Sequence, residues 1–169
     1  MLNKKSLVFF PMILAIASLL FLFGSQTAEA LQILDSGYRV VTLAKGSPLP
    51  GCNGIIVGRD GALYVVHVSA DSVSRIDPKT SKISTFVPPY AGVSFPDDIT
   101  VDERGNFYIA SCTAPGEVYR VDPNGMKKVI ATGLKGPNGI HYNSRTDRLF
   151  MSECFFGNRV FEPAYVGHS

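Results

Sequence analysis

One pattern occurs three times along this chain, and it limits the possible folds more than any other feature. The copies are "GCNGIIVGRDGALYVVHV" from Gly51, "FPDDITVDERGNFYIASC" from Phe95 and "GPNGIHYNSRTDRLFMSEC" from Gly136. Each opens on an amide or carboxylate side chain, Asn53, Asp97 or Asn138, at separations of 44 and 41 residues. An apolar run follows ("GIIVG", "DITVD", "GIHYN"), then a polar turn, then a second run with alternating apolar positions. Short segments rich in β-branched and aromatic residues, punctuated by turn residues, predict antiparallel strands.

The repeat extends further. "VSRIDP" from Val73 matches "VYRVDP" from Val118 at an offset of 45 residues. In both, Asp-Pro ends a strand and enters a turn, where proline pre-sets φ and the carboxylate bonds to backbone ahead. "ISTFVP" from Ile83 and "KKVIAT" from Lys127 supply a fourth strand. Four strands in about 40–45 residues is the period of a β-propeller blade. The predicted fold is therefore all-β, a propeller of four-stranded antiparallel blades over 51–92, 95–133 and 136–162. A β-sandwich would not place the same polar residue class before the same strand three times. About three blades is fewer than the four to eight of a closed propeller, so the expectation is an incomplete ring. Its open sheet edges would allow pairing into a homodimer. Residues 163–169, after Glu162, do not continue the pattern and read as an unrelated tail.

Outside the repeat, Lys4 and Lys5 precede an apolar run from Leu7 to Phe23, and Ala28-Glu29-Ala30 follows. These are the parts of a signal peptide over 1–30, and they predict export to the periplasm or medium of a bacterial cell. Membrane contact is expected only through that segment. From Leu31 onward the chain carries 14 basic and 13 acidic side chains. That balance gives no basic footprint for nucleic acid. Three cysteines, Cys52, Cys112 and Cys154, are an odd number and do not organise a disulfide scaffold. Cys112 and Cys154 occupy equivalent places in neighbouring repeats and read as small buried hydrophobes, with a bridge between them left open.

"GPNGIHYNSRTDRLFMSECFFGNRV" and "FPDDITVDERGNFYIAS" together resemble the gluconolactonase superfamily of six-bladed propellers, the group of regucalcin and the luciferin-regenerating enzyme. The resemblance runs from Gly51 to Glu162. It implies a lactone- or ester-hydrolysing enzyme with a divalent metal on the central axis, calcium first, with zinc or magnesium as alternatives. By position it implies metal ligation at Asn138, a further ligand position at Asn53, and substrate holding by Asp97 and Asp98; Asp97, in register with both asparagines, is the third candidate ligand. Asn53 stands where the family has a glutamate, which removes one negative ligand. The family's later aspartate ligand has no counterpart here, so the chain reads as a truncated and inactive form of such an enzyme.

The residues themselves support a site at the same place. The turn entering the first strand of a blade and the turn leaving its second lie at one end. Asn53, Asp97 and Asn138 therefore share a rim with His67, Ser111 and Glu153. Amide and carboxylate oxygens are hard ligands suited to calcium or magnesium. Asp98 is the candidate proton acceptor. Against this, Asn-Gly is a common turn dipeptide, and His67, with no second imidazole or thiolate at ligand spacing, reads as a surface or hydrogen-bonded residue. Two other functions stay open: a non-catalytic propeller binding protein or glycan, and a lyase resembling the streptogramin lyases.

Overall fold

The computed structural model describes residues 35–163. The signal segment read over 1–30 and residues 164–169 of the tail lie outside the described residues. The described residues fall into two units, 35–41 and 42–163. In the first, the described residues hold one turn, in which Tyr38 N donates to Asp35 O at 3.1 Å.

The second unit consists of three antiparallel sheets, each built from consecutive strands. β1 (Cys52–Val57), β2 (Leu63–His67), β3 (Ser72–Ile76) and β4 (Ile83–Val87) form the first, in that order. β5 (Pro96–Val101), β6 (Phe107–Ser111), β7 (Gly116–Val121) and β8 (Lys127–Leu134) form the second. β9 (Pro137–Asn143), β10 (Arg148–Glu153) and the two-residue β11 (Val160–Phe161) form the third. One turn of 3₁₀ helix, Pro89–Ala91, links the first two sheets. This is the propeller arrangement that the repeat predicts.

The sheets stack face to face because alternate side chains of each strand point to opposite faces. On the middle sheet, Ile99, Val101, Phe107, Ile109, Tyr119 and Val121 pack against Tyr64, Val66, Val73 and Val87 of the first. The opposite face, through Tyr108, Ala110 and Val118, meets Ile140 and Met151 of the third. Tyr64, Phe86 and Phe107 form an aromatic cluster in the first of these seams, with ring centroids 4.3–4.9 Å apart. Both faces of the middle sheet are thus buried, which is why β6 is buried along its whole length.

The first strands of the sheets lie nearest one another, β1 against β5 and β5 against β9. The approach is close. A Cβ built on Gly54 would stand 2.6 Å from Asp98 Cα and 2.9 Å from Asp97 O. Gly54 is there because no larger residue fits between β1 and β5. Asn53-Gly54 and Asn138-Gly139 lie inside β1 and β9, and neither glycine has positive φ. The turn-dipeptide reading of these pairs does not hold.

Polar bonds join the second and third sheets as well. Ile140 N donates to Asp98 Oδ2 at 2.9 Å and Tyr142 N to Thr100 Oγ1 at 3.1 Å. At the far end of the middle sheet, Asp102 is 1% exposed. Its carboxylate accepts from the Arg104 and Asn106 backbone, the Asn106 amide and the Tyr108 hydroxyl, at 2.7–3.0 Å.

Candidate functional site

Asn53, Asp97 and Asn138 each sit at a break in strand register. In β1, Cys52 pairs with His67 but Ile55 pairs with Val65, so two residues face one. In β5 the shift falls between Pro96 and Asp98, leaving Asp97 as the extra residue. In β9 it falls between the Pro137 and Ile140 pairings with β10. A bulge releases a residue from the ladder and re-aims its side chain, a device found beside active sites. Here it turns all three side chains toward one another. Asn53 Nδ2 donates to Asp97 Oδ1 at 2.8 Å, and Asn138 Nδ2 donates to Asp97 Oδ2 at 2.6 Å. One carboxylate from the middle sheet is held between two amides from its neighbours.

Burial, and then the adjacent Asp98 carboxylate, push the Asp97 carboxyl above the ordinary aspartate value, against the pull of the Asn138 and Asn53 hydrogen bonds. Asp98, one residue on, points elsewhere. Its Oδ1 accepts from Ile99 N at 2.8 Å and its Oδ2 from Ile140 N. Both carboxylate oxygens bind backbone within the sheet stack. The structure therefore separates the adjacent aspartates, with Asp97 in the trio and Asp98 in the seam.

The remaining rim candidates do not join them. His67 is 1% exposed, with Nε2 2.9 Å from Ser74 Oγ and Nδ1 3.7 Å from Cys52 Sγ. Burial lowers its pKa, and it is hydrogen-bonded within the first sheet. Ser111 is fully buried and bonds the Thr113 hydroxyl at 3.2 Å. Glu153, with its side chain shielded from solvent, receives Arg159 Nε and Nη2 at 2.7 and 2.6 Å and Lys135 N at 2.8 Å. The Arg159 guanidinium, then the Lys135 backbone, hold it at about 2. These three serve the fold.

Cys52, Cys112 and Cys154 are all free thiols, and none is fully buried. The bridge left open for Cys112 and Cys154 is not formed. Burial and the Asp97 charge raise the Cys112 thiol.

The sequence profile of the SMP-30/Gluconolactonase/LRE-like region matches residues 35–157. The chain belongs to this family. A gluconolactonase of Zymomonas mobilis is 29% identical over 119 residues, covering 61% of this chain and 33% of that protein. Among solved structures, a gluconolactonase of Xanthomonas campestris superposes with a TM-score of 0.58 at 21% identity. The match covers 66% of this chain and 43% of that one. Virginiamycin B lyase of Staphylococcus aureus gives 0.55 at 21% identity, over 69% and 39% of the two chains. These structural likenesses show the shared fold. The gluconolactonase-like chain thus spans about a third of the curated relative and about two-fifths of these two structures.

The family is in general metal-dependent. Among the described residues, no three His, Cys, Asp or Glu side chains cluster as ligands. A cation at the trio would have to use the Asp97 carboxylate and the amide oxygens of Asn53 and Asn138. Asparagine presents oxygen or nitrogen by a half-turn of its amide, so the donor set fits a hard cation that takes oxygen ligands. It does not fit zinc, which favours imidazole and thiolate.

Proposed function

We propose that this gluconolactonase-like chain carries part of a lactone- or ester-hydrolysing site centred on Asp97 and working with a divalent cation, calcium before magnesium. The supporting observation is the convergence of three bulged residues from three successive sheets on one carboxylate. The lysines and apolar run before residue 30 support action outside the cytoplasm.

A bound divalent cation would supply Lewis-acid polarisation of the ester carbonyl. As the amides stand, Asn53 and Asn138 hold the two Asp97 oxygens in fixed directions; turned by half, they would present their oxygens to a cation instead. Asp97 in turn orients substrate or a water through the lone pairs that the amides leave free. Asp98 keeps β5 and β9 in place, so that the Asp97–Asn138 distance is maintained. The substrate-handling role expected of Asp98 passes to Asp97. With a single carboxylate among three ligands, cation affinity is expected to be weak.

The test is titration of the purified chain with calcium by calorimetry, together with pH-stat hydrolysis of δ-lactones, for the wild type and Asp97→Ala. Calcium binding and turnover in the wild type, both lost in Asp97→Ala at unchanged thermal stability, support the reading. Neither binding nor turnover in the wild type removes it.

A further inference from the structure

Among the described residues, the non-glycine residues with positive φ are Asp71, Ser81, Phe95, Asp147 and Phe155. Aspartate and serine hydrogen-bond locally and tolerate that conformation better, whereas a bulky aromatic there is an outlier. Backbone strain of this kind points to a demand other than folding. Both aromatics lie at the end of the sheets that carries Asn53, Asp97 and Asn138.

Phe95 is the more informative. Its φ is 47°, it is 50% exposed, and it stands two residues before Asp97. The backbone is held on both sides: Phe95 N donates to Asp71 Oδ1 at 2.7 Å, and Phe95 O accepts from Cys112 N at 3.0 Å. The other sheets use glycine at the same place. Gly51 O accepts from Val68 N, and Gly136 O from Cys154 N, with φ of 62° and 68°. The turn therefore needs only a residue that adopts positive φ, and glycine does so without strain. The Phe95 ring adds nothing to that turn, and the residue is half in solvent.

The third sheet places a second aromatic at its own glycine. Phe156, 61% exposed, has Cδ2 3.2 Å from where a Cβ of Gly136 would be, two residues before Asn138. Phe155 beside it is 81% exposed. A phenylalanine thus stands two residues before Asp97 on one sheet and against the glycine two residues before Asn138 on the next. Of the polar rim side chains described above, His67, Ser111 and Glu153 are buried and bonded internally. Asn53, Asp97 and Asn138 remain open or half-open to solvent, and Lys135, Asn158 and Arg159 line a cavity beside Phe155 and Phe156. A densely hydroxylated ligand lying on the Phe95 ring would leave the hydroxyls over that ring without partners, which is costly.

We propose that the substrate of this site is a lactone or ester bearing an apolar or aromatic ring, not a polyol, and that Phe95 is the platform on which the ring lies. This rests on the hydrolase reading and adds the substrate class to it.

The test compares dihydrocoumarin with δ-gluconolactone, using wild type, Phe95→Gly and Phe95→Tyr. The wild type should have the higher kcat/KM for dihydrocoumarin. In Phe95→Gly the ratio of the two kcat/KM values should fall roughly 5- to 10-fold, through KM, on the scale of one aromatic contact. Phe95→Tyr should retain the ratio. The melting temperature of Phe95→Gly should equal or exceed that of wild type, because glycine removes the strain. A preference for gluconolactone, or an equal loss on both substrates, overturns the proposal. If neither compound is hydrolysed, the hydrolase reading fails. Saturation-transfer NMR with coumarin then decides the platform: binding weakened by Phe95→Gly upholds it, and no binding ends it.

Discussion

The Asp98 carboxylate of β5 accepts the backbone N–H of Ile140 in β9 at 2.9 Å, so a residue next to the site joins two sheets that share no ladder. Among the described residues, Asp97 beside it meets no backbone donor and takes both amides of the trio. Adjacent aspartates with opposite duties predict opposite mutant phenotypes. Asp98→Ala leaves a buried N–H without a partner and should cost about 1–3 kcal/mol in urea denaturation. Asp97→Ala should leave stability within about 0.5 kcal/mol while removing ligand binding. Equal destabilisation by both changes would contradict the division.

Cation dependence should follow the oxygen donors. Calcium in millimolar excess should raise the wild-type melting temperature by a few degrees, since a ligand bound only by the folded state stabilises it by mass action. Asn138→Ala should abolish the rise, and zinc should not produce it, because no imidazole or thiolate set is present among the described residues. Differential scanning fluorimetry reads all three. A zinc response above the calcium response would show another donor set in use.

Acid sensitivity should trace in part to Glu153. Its folded pKa of about 2 lies below the ordinary glutamate value of 4.5, with Arg159 the first cause. A carboxyl depressed on folding contributes stability that is complete above the unfolded pKa and fades as protons are forced on. The contribution should therefore be present above about pH 4.5 and vanish as pH falls through 2. Glu153→Gln should be less stable than wild type at pH 7, and the gap should close by pH 2. Guanidinium melts at several pH values provide the check; a constant gap would show that the ion pair is not the cause.

Thiol reactivity should rank by exposure and charge. Cys52 is exposed, whereas Cys112 is half-buried and its thiol is raised by burial and by the Asp97 charge. The thiolate is the reacting form, so Ellman's reagent at pH 8 should modify Cys52 first and Cys112 more slowly. Asp97→Asn should accelerate the Cys112 phase. Cys112 reacting at the same rate in both proteins would mean that Asp97 does not act on it.

Much of the architecture was legible because the signals are local. Turn residues, alternating apolar positions and the 44- and 41-residue spacings of Asn53, Asp97 and Asn138 are properties of short segments, and they predicted three sheets of antiparallel strands. The same register named the three members of the trio. What it could not assign was which rim residues would be buried. His67, Ser111 and Glu153 occupy equivalent strand ends, yet their partners Ser74, Thr113 and Arg159 take them out of the site. Asp102 passed unnoticed although "DERGNFY" holds an Asp six residues before a Tyr, which is the spacing of its bond to Tyr108. Phe95 also gave a signal: it stands where the other two copies have glycine.

The sequence alone determined the repeat, the strand pattern and the shared position of the polar openers, because strand alternation and turn chemistry act between residues a few positions apart. Only the tertiary structure decided that those openers would bulge, that Asp97 and not Asp98 would face them, and that Gly54 would be required by the approach of β5. Those outcomes depend on contacts between residues about 40 positions apart, where packing of one sheet on the next fixes where a side chain can go.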